Sequence, residues 1–166
     1  TNTVEIAYRN PRQKSKGTAF IFHNDPFSKP QLVYNQYSDG GLGVGLGSTD
    51  LNASAAMIEI VKNTAAANGL TMIVPAPSIP VTADYIKSQL CLPVNSPWHP
   101  TGTCKIGTSI INGVVDKNLS VFGVKDLMVV DNSVMPVITT GNTAYPAYVI
   151  GVVAASLLGA EVPIDP

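Results

Sequence analysis

The sequence predicts a mixed α/β (α+β) fold, and three observations carry that expectation. Short β-branched and aromatic runs are separated by polar turns. Two longer segments place apolar residues at helical spacing between cap and stop residues. Fourteen glycines and 13 prolines punctuate the connections. With 166 residues, 45% of them hydrophobic and 13% charged, the chain can bury a sizeable core and is too apolar for a disordered segment. Its formal net charge of −1 gives no field to attract nucleic acid or an acidic membrane surface. No membrane span is expected, because no apolar run reaches about 18 residues. The most apolar segment, 147–160, is short and contains Gly151 and Gly159.

Residues 1–13 alternate weakly through Val4, Ile6 and Tyr8 before Asn10-Pro11, which predicts a short strand or extended entry. A polar turn follows over 14–17. Residues 18–23 read as a strand ended by Asn24-Asp25-Pro26, and 31–37, after Pro30, as another strand or extended segment. Residues 38–48 hold five glycines, yet fail the dinucleotide pattern G-x-G-x-x-G in every register: the third glycine falls on Leu46, Ser48 or Asp50. This segment is read as a flexible or close-packed loop.

Thr49 or Asp50 is expected to cap a helix that presents Ala53, Ala56, Met57, Ile60 and Val61 on one face and stops at Asn68-Gly69. A short strand over 70–74, a proline-punctuated link and a second helix from Thr82 to Leu90 come next, with Met72 and Tyr85 as core residues. After Asn95-Ser96-Pro97 the character changes. The segment following His99 is loop-like, residues 114–116 and 119–122 form short strands, and 126–131 form a buried strand with polar ends. A last helix runs from Ala144 or Tyr145 to Leu158, with Pro146 tolerated in its first turn. Its small residues Ala147, Gly151, Ala154 and Ala155 would allow close packing on a sheet.

The chemistry concentrates around His99. Of the two histidines, His23 stands at a strand end, and neither has metal-ligand spacing to Cys, Asp or Glu, so no zinc site is expected. No G-x-S-x-G elbow supports a Ser-His-Asp hydrolase. Cys91 and Cys104 are 13 residues apart; two buried free thiols is the preferred reading over a bridge. Asn52-Ala53-Ser54 and Asn118-Leu119-Ser120 fit the N-glycosylation pattern and are compatible with a secreted protein. The chain starts without Met and without a signal-peptide pattern, which suggests a piece of something longer.

Three runs, in this order, resemble the C-terminal region of the glucose-methanol-choline (GMC) family of FAD-dependent oxidoreductases. They are Trp98-His99-Pro100-Thr101-Gly102-Thr103-Cys104-Lys105-Ile106-Gly107, Met128-Val129-Val130-Asp131-Asn132-Ser133-Val134-Met135-Pro136, and Thr140-Gly141-Asn142-Thr143-Ala144. The resemblance spans residues 14–159. It implies that residues 1–96 form part of a substrate-binding domain, that 97–160 complete an FAD-binding domain, and that 161–166 are a tail. It implies oxidation of a small-molecule alcohol, with His99 as general base and the hydride passing to flavin N5. Asn142 would hold the alcohol oxygen, and Trp98 would line the substrate pocket. Asp131, Asn132, Asn142, Thr143 and Ala144 would contact FAD, the Thr143-Ala144 pair through backbone N–H groups. Many family members have Pro where Thr143 stands. The family's G-x-G-x-x-G region is absent, so the resemblance implies a companion polypeptide that carries it. Two alternatives remain at this point: a non-redox hydroxynitrile lyase or cyclase on the same fold, or a non-catalytic piece that completes another chain.

Overall fold

The computed structural model describes Ile6 and residues 13–40, 48–86, 88 and 99–161. The chain divides into two compact units, Thr1–Ser96 and Pro97–Pro166. Most of the strand expected over 1–13, most of the glycine-rich loop expected over 38–48, Cys91, and residues 87, 89 and 90 of the helix expected over 82–90 fall outside the described residues.

In the first unit, strands β1 (Thr18–Phe20) and β2 (Gln31–Val33) pair antiparallel, with Ala19 opposite Leu32. Both are shorter than the sequence suggests, because local polar groups and backbone turns interrupt the ladder. The Asp25 carboxylate accepts from Phe27 N–H and Ser28 Oγ, closing a turn between the strands. Asn35 and Tyr37 take positive φ of 46° and 59° and bend the chain away after β2. Gly17 leads into β1 beneath the Val33 carbonyl, where any Cβ would collide.

Helix α1 spans Thr49–Ala67. Its N-cap is Ser48, whose Oγ accepts from Leu51 N–H at 3.0 Å, and not Thr49 or Asp50 as expected. Those two residues are engaged elsewhere: the Thr49 hydroxyl donates to Asp39, and the Asp50 carboxylate accepts from the Lys14 and Ser15 N–H groups. The helix ends as predicted at Asn68-Gly69, where Gly69 adopts φ +67° and Leu70 N–H turns back to the Ala65 carbonyl.

The buried stripe of α1 is Leu51, Ser54, Ile58 and Ala65, a different face from the predicted one. Ile60, expected inside, is 63% exposed. Apolar residues occur on both sides of this helix, so periodicity could not choose between them. The choice is made by Ile86, which packs with Leu51 and Ile58 and draws in Tyr37 and Val81. Ile86 follows a single helical turn, α2 (Ala83–Tyr85), started by Thr82 Oγ1 accepting from Tyr85 N–H. Met72 and Tyr85 are half-buried at most. The strand expected over 70–74 does not form: these residues pair with no described strand, and Leu70, Ile73 and Val74 are exposed.

The second unit is built from turns and isolated bridges. Ile106 bridges Val115, Val115 bridges Val121, and Ser120 bridges Met128. The segments predicted as strands thus meet at single points. Sharp bends at Leu119 (φ 64°), Gly123 (φ 76°) and Asp126 (φ 56°) leave too little straight chain for longer ladders. Asp116 fixes the first bend by accepting from the Asn118 and Ser120 N–H groups. The segment 126–131 is not buried as expected; Leu127 and Val130 are 47% and 42% exposed, while Met128 and Val129 turn toward the core.

That core is Val115, Leu119, Val134 and Ala154, flanked by Ile106, Val121, Met128, Val129 and Ile150. Ala154 and Ile150 come from helix α3 (Ala144–Leu157), which begins and ends within a residue of its predicted limits. Of its small residues, Ala154 enters the core while Ala147 and Gly151 are exposed. Among the described residues no helix is long and apolar enough to cross a membrane.

Candidate active site

The site begins with Asp131. Its carboxylate accepts from Ser133 N–H at 2.7 Å and starts a single 3-10 turn over Asn132–Val134. The carbonyls of Asn132, Ser133 and Val134 then accept from Gly102, Cys104 and Ile106 N–H at 3.4, 2.9 and 2.9 Å. Every second residue of the run after His99 is therefore tied to successive residues of the Asp131 run. Gly102 adopts φ +84°, and a Cβ there would lie 3.2 Å from the Met135 carbonyl oxygen. Glycine allows this close lacing of two segments that are about thirty residues apart in sequence.

The third run joins through Thr143, the N-cap residue of α3. Thr143 is 3% exposed, and its side chain makes no capping bond to the helix. Its Oγ1 lies instead 3.0 Å from His99 Nδ1. Its carbonyl accepts twice, from Ala147 N–H at 3.2 Å and from Asn132 Nδ2 at 2.9 Å. Asn132 Oδ1 is buried with no partner among the described residues. Beside this network lies an open pocket of about 310 Å³ lined by Pro100, Thr103, Asp131, Asn132, Ser133 and Thr143.

The structure thus brings together four of the residues singled out from sequence: His99, Asp131, Asn132 and Thr143. Asn142 is exposed beside Thr143 and makes no hydrogen bond among the described residues; Ala144 is the exposed first residue of α3. Trp98 lies outside the described residues. Cys104 is a free, half-buried thiol. Among the described residues no three His, Cys, Asp or Glu side chains cluster as a metal site would require. Of the two glycosylation triplets, Asn52-Ala53-Ser54 is embedded in α1 with Ser54 buried, whereas Asn118 stands on an exposed turn.

The sequence did not reveal the role of the Thr143 side chain. The family resemblance points only to its backbone N–H. The available signal was a threonine directly before a helical run, which usually means a cap; nothing in one dimension shows that its hydroxyl is used by a residue 44 positions away. The arrangement engages Nδ1 of His99, while Nε2 makes no hydrogen bond among the described residues. The uncapped start of α3 adds peptide N–H groups and a field that favours negative charge.

Comparison with known proteins gives the family and the fold. The family model for GMC oxidoreductases, in its C-terminal part, matches residues 13–151. Ecdysone oxidase of Bombyx mori is 32% identical over 163 residues, covering 93% of this chain and 22% of that protein. The 5-(hydroxymethyl)furfural oxidase of a Methylovorus species is 30% identical over 156 residues, covering 84% of this chain and 28% of that protein. Among solved structures, an Aspergillus oryzae formate oxidase variant studied for its FAD modification superposes with a TM-score of 0.65 at 21% identity, covering 86% of this chain and 24% of that one. The chain therefore spans about a quarter of the length of these relatives.

Proposed function

This chain belongs to the GMC oxidoreductase family as its C-terminal portion, and we propose that in the whole protein it oxidises a small-molecule alcohol with FAD as cofactor and His99 as general base. The observation that carries this reading is the contact of His99 with Thr143, which places the only histidine of the second unit beside a pocket and a helix start.

The residues present fit a flavin dinucleotide. Asn132 Oδ1 is a buried acceptor without a partner among the described residues, and such an atom is costly unless a donor reaches it. Asp131 lines the same pocket and is suited to ribose hydroxyls. The first N–H groups of α3 have no intrahelical acceptor, and Thr143 does not cap them; they suit the acceptor edge of a flavin. When bound, FAD supplies the two-electron acceptor, with N5 taking the hydride from the alcohol carbon.

His99 takes the hydroxyl proton, a role for which a neutral imidazole is the fitting side chain near neutral pH. Asn142, exposed beside Thr143, donates its carboxamide N–H to the alcohol oxygen and holds it for transfer. The alcohol thereby loses one proton and one hydride and leaves as a carbonyl compound. The remainder of the whole protein would provide the G-x-G-x-x-G region that this chain lacks, and oxygen or another acceptor would take the electrons in turnover.

His99→Ala in the whole protein tests the reading. Anaerobic stopped-flow should show flavin reduction slowed by about 10²- to 10⁴-fold, with the deficit shrinking as pH rises and more substrate alkoxide is present. A variant with normal melting and full flavin content that reduces flavin at the normal rate would remove His99 as the base. Failure of any alcohol to bleach the wild-type flavin would favour a non-redox lyase or cyclase.

A further inference from the structure

An imidazole acts as a base through one nitrogen only if the other carries the proton, so the partner of His99 Nδ1 decides what Nε2 can do. That partner is the Thr143 hydroxyl at 3.0 Å. Thr143 stands where a threonine ordinarily turns its oxygen onto the helix's own N–H groups, and here it does not. The residue is also held firmly: it is buried, and its carbonyl accepts from both Asn132 Nδ2 and Ala147 N–H. A fixed hydroxyl has been withdrawn from helix capping and applied to the imidazole.

We propose that Thr143 is a positioning residue for His99, its Oγ1 accepting the Nδ1–H bond and so holding the neutral tautomer whose Nε2 is free to take the substrate proton. This rests on the reading of His99 as the base. Neutral Nδ1–H imidazole and the imidazolium both donate from Nδ1, so the same hydrogen bond persists while the proton arrives at Nε2. The reverse arrangement, with the hydroxyl donating to Nδ1, would place the ring proton on Nε2 and leave no lone pair for the alcohol. With Oγ1 as acceptor, the hydroxyl proton remains for a group bound in the pocket that Thr143 lines. Asn132 contributes indirectly, by fixing the peptide that carries the hydroxyl.

The test uses the whole, FAD-loaded protein. Histidine-selective ¹⁵N NMR of the resting enzyme, with the His99 signals assigned by their loss in His99→Ala, should show protonation at Nδ1. Thr143→Val keeps the branched shape and removes the hydroxyl. It should shift the ring toward Nε2 protonation and lower kcat by about 10- to 100-fold, the range for a mispositioned catalytic group, with KM little changed. Thr143→Ser should restore both the tautomer and most of the rate. A wild-type ring protonated at Nε2 overturns the proposal, whatever the fate of the Val variant. So does a folded, flavin-loaded Thr143→Val protein with unchanged tautomer and kcat. If His99→Ala is damaging while Thr143→Val is harmless, only the positioning role falls; if His99→Ala is harmless, the base assignment itself falls.

Discussion

The two ends of the Asn132 carboxamide meet different fates. Nδ2 donates to the Thr143 carbonyl and ties the Asp131 turn to the start of α3, while Oδ1 is buried without a donor among the described residues. An unsatisfied buried acceptor costs about 1–3 kcal/mol, so a donor reaching Oδ1 would stabilise the site. Asn142 is different. It is exposed and makes no hydrogen bond among the described residues, so the fold does not depend on its carboxamide. Asn142→Ala should therefore change stability by no more than about 0.5 kcal/mol, the usual range for a surface change. Bound flavin should be retained, since the backbone N–H groups remain, and flavin reduction should slow because the alcohol oxygen loses its orienting donor. Measured side by side, loss of flavin with unchanged turnover per bound flavin would show that Asn142 serves the cofactor and not the substrate.

At the level of elements, the start of α1 is organised by two carboxylates. Asp39 accepts from Ser15 Oγ, from Ser48 Oγ, from the Thr49 hydroxyl and N–H, and from Asp50 N–H. Asp50 accepts from the Lys14 and Ser15 N–H groups and from Ser15 Oγ. Together they fasten the segment before β1 to the helix N-terminus, where negative charge is favoured. Desolvation raises the Asp39 carboxyl, but the bonds from Ser48, Thr49, Asp50 N–H and Ser15 outweigh it and hold the group well below its ordinary range. A carboxylate lowered on folding contributes stability that is fully present above its unfolded pKa, near 3.8, and is lost as pH falls through the lower folded value. Asp39→Asn should consequently melt below the wild type by a constant interval above about pH 5, and the interval should narrow as the medium becomes more acidic than the ordinary carboxylate pKa of about 4. An interval independent of pH down to the acid limit of folding would show that the charge on Asp39 is not what holds the knot.

For the whole molecule, the exposed surface of α3 matters most. Tyr145, Tyr148, Val149, Val152, Val153, Leu157 and Leu158 are all solvent-exposed in the chain by itself. A helix apolar on most of its circumference belongs in the interior of a larger body. The relatives are about four times as long as this chain. We expect stable FAD binding only when the G-x-G-x-x-G region is present, on the same polypeptide or a companion. Size-exclusion chromatography with visible spectroscopy on the chain alone, and then with that region supplied, tests this. A monodisperse, flavin-loaded monomer of the 166 residues alone would refute it.

Certain features could be read from residue order alone because their causes are local. Gly69 after Asn68 stops α1, and the run from Ala144 forms α3, since caps, φ-permissive glycine and helical apolar spacing act within a few residues. The family was legible for a related reason: the order of the His99, Asp131 and Asn142 runs is a property of the sequence itself. The buried face of α1 was not legible, because Ile58 and Ile60 are equally apolar and only packing against Ile86 selects Ile58. Nor were the broken strands after Ile106, where bends at Leu119 and Asp126 override β propensity. Ser48 displaced Thr49 as the cap because Asp39, ten residues earlier, claims the Thr49 hydroxyl. The Thr143–His99 bond, too, was decided only by the tertiary structure: a hydroxyl chooses among partners by distance in space, and the lacing of Gly102, Cys104 and Ile106 onto the Asp131 turn is what brings the imidazole within its reach.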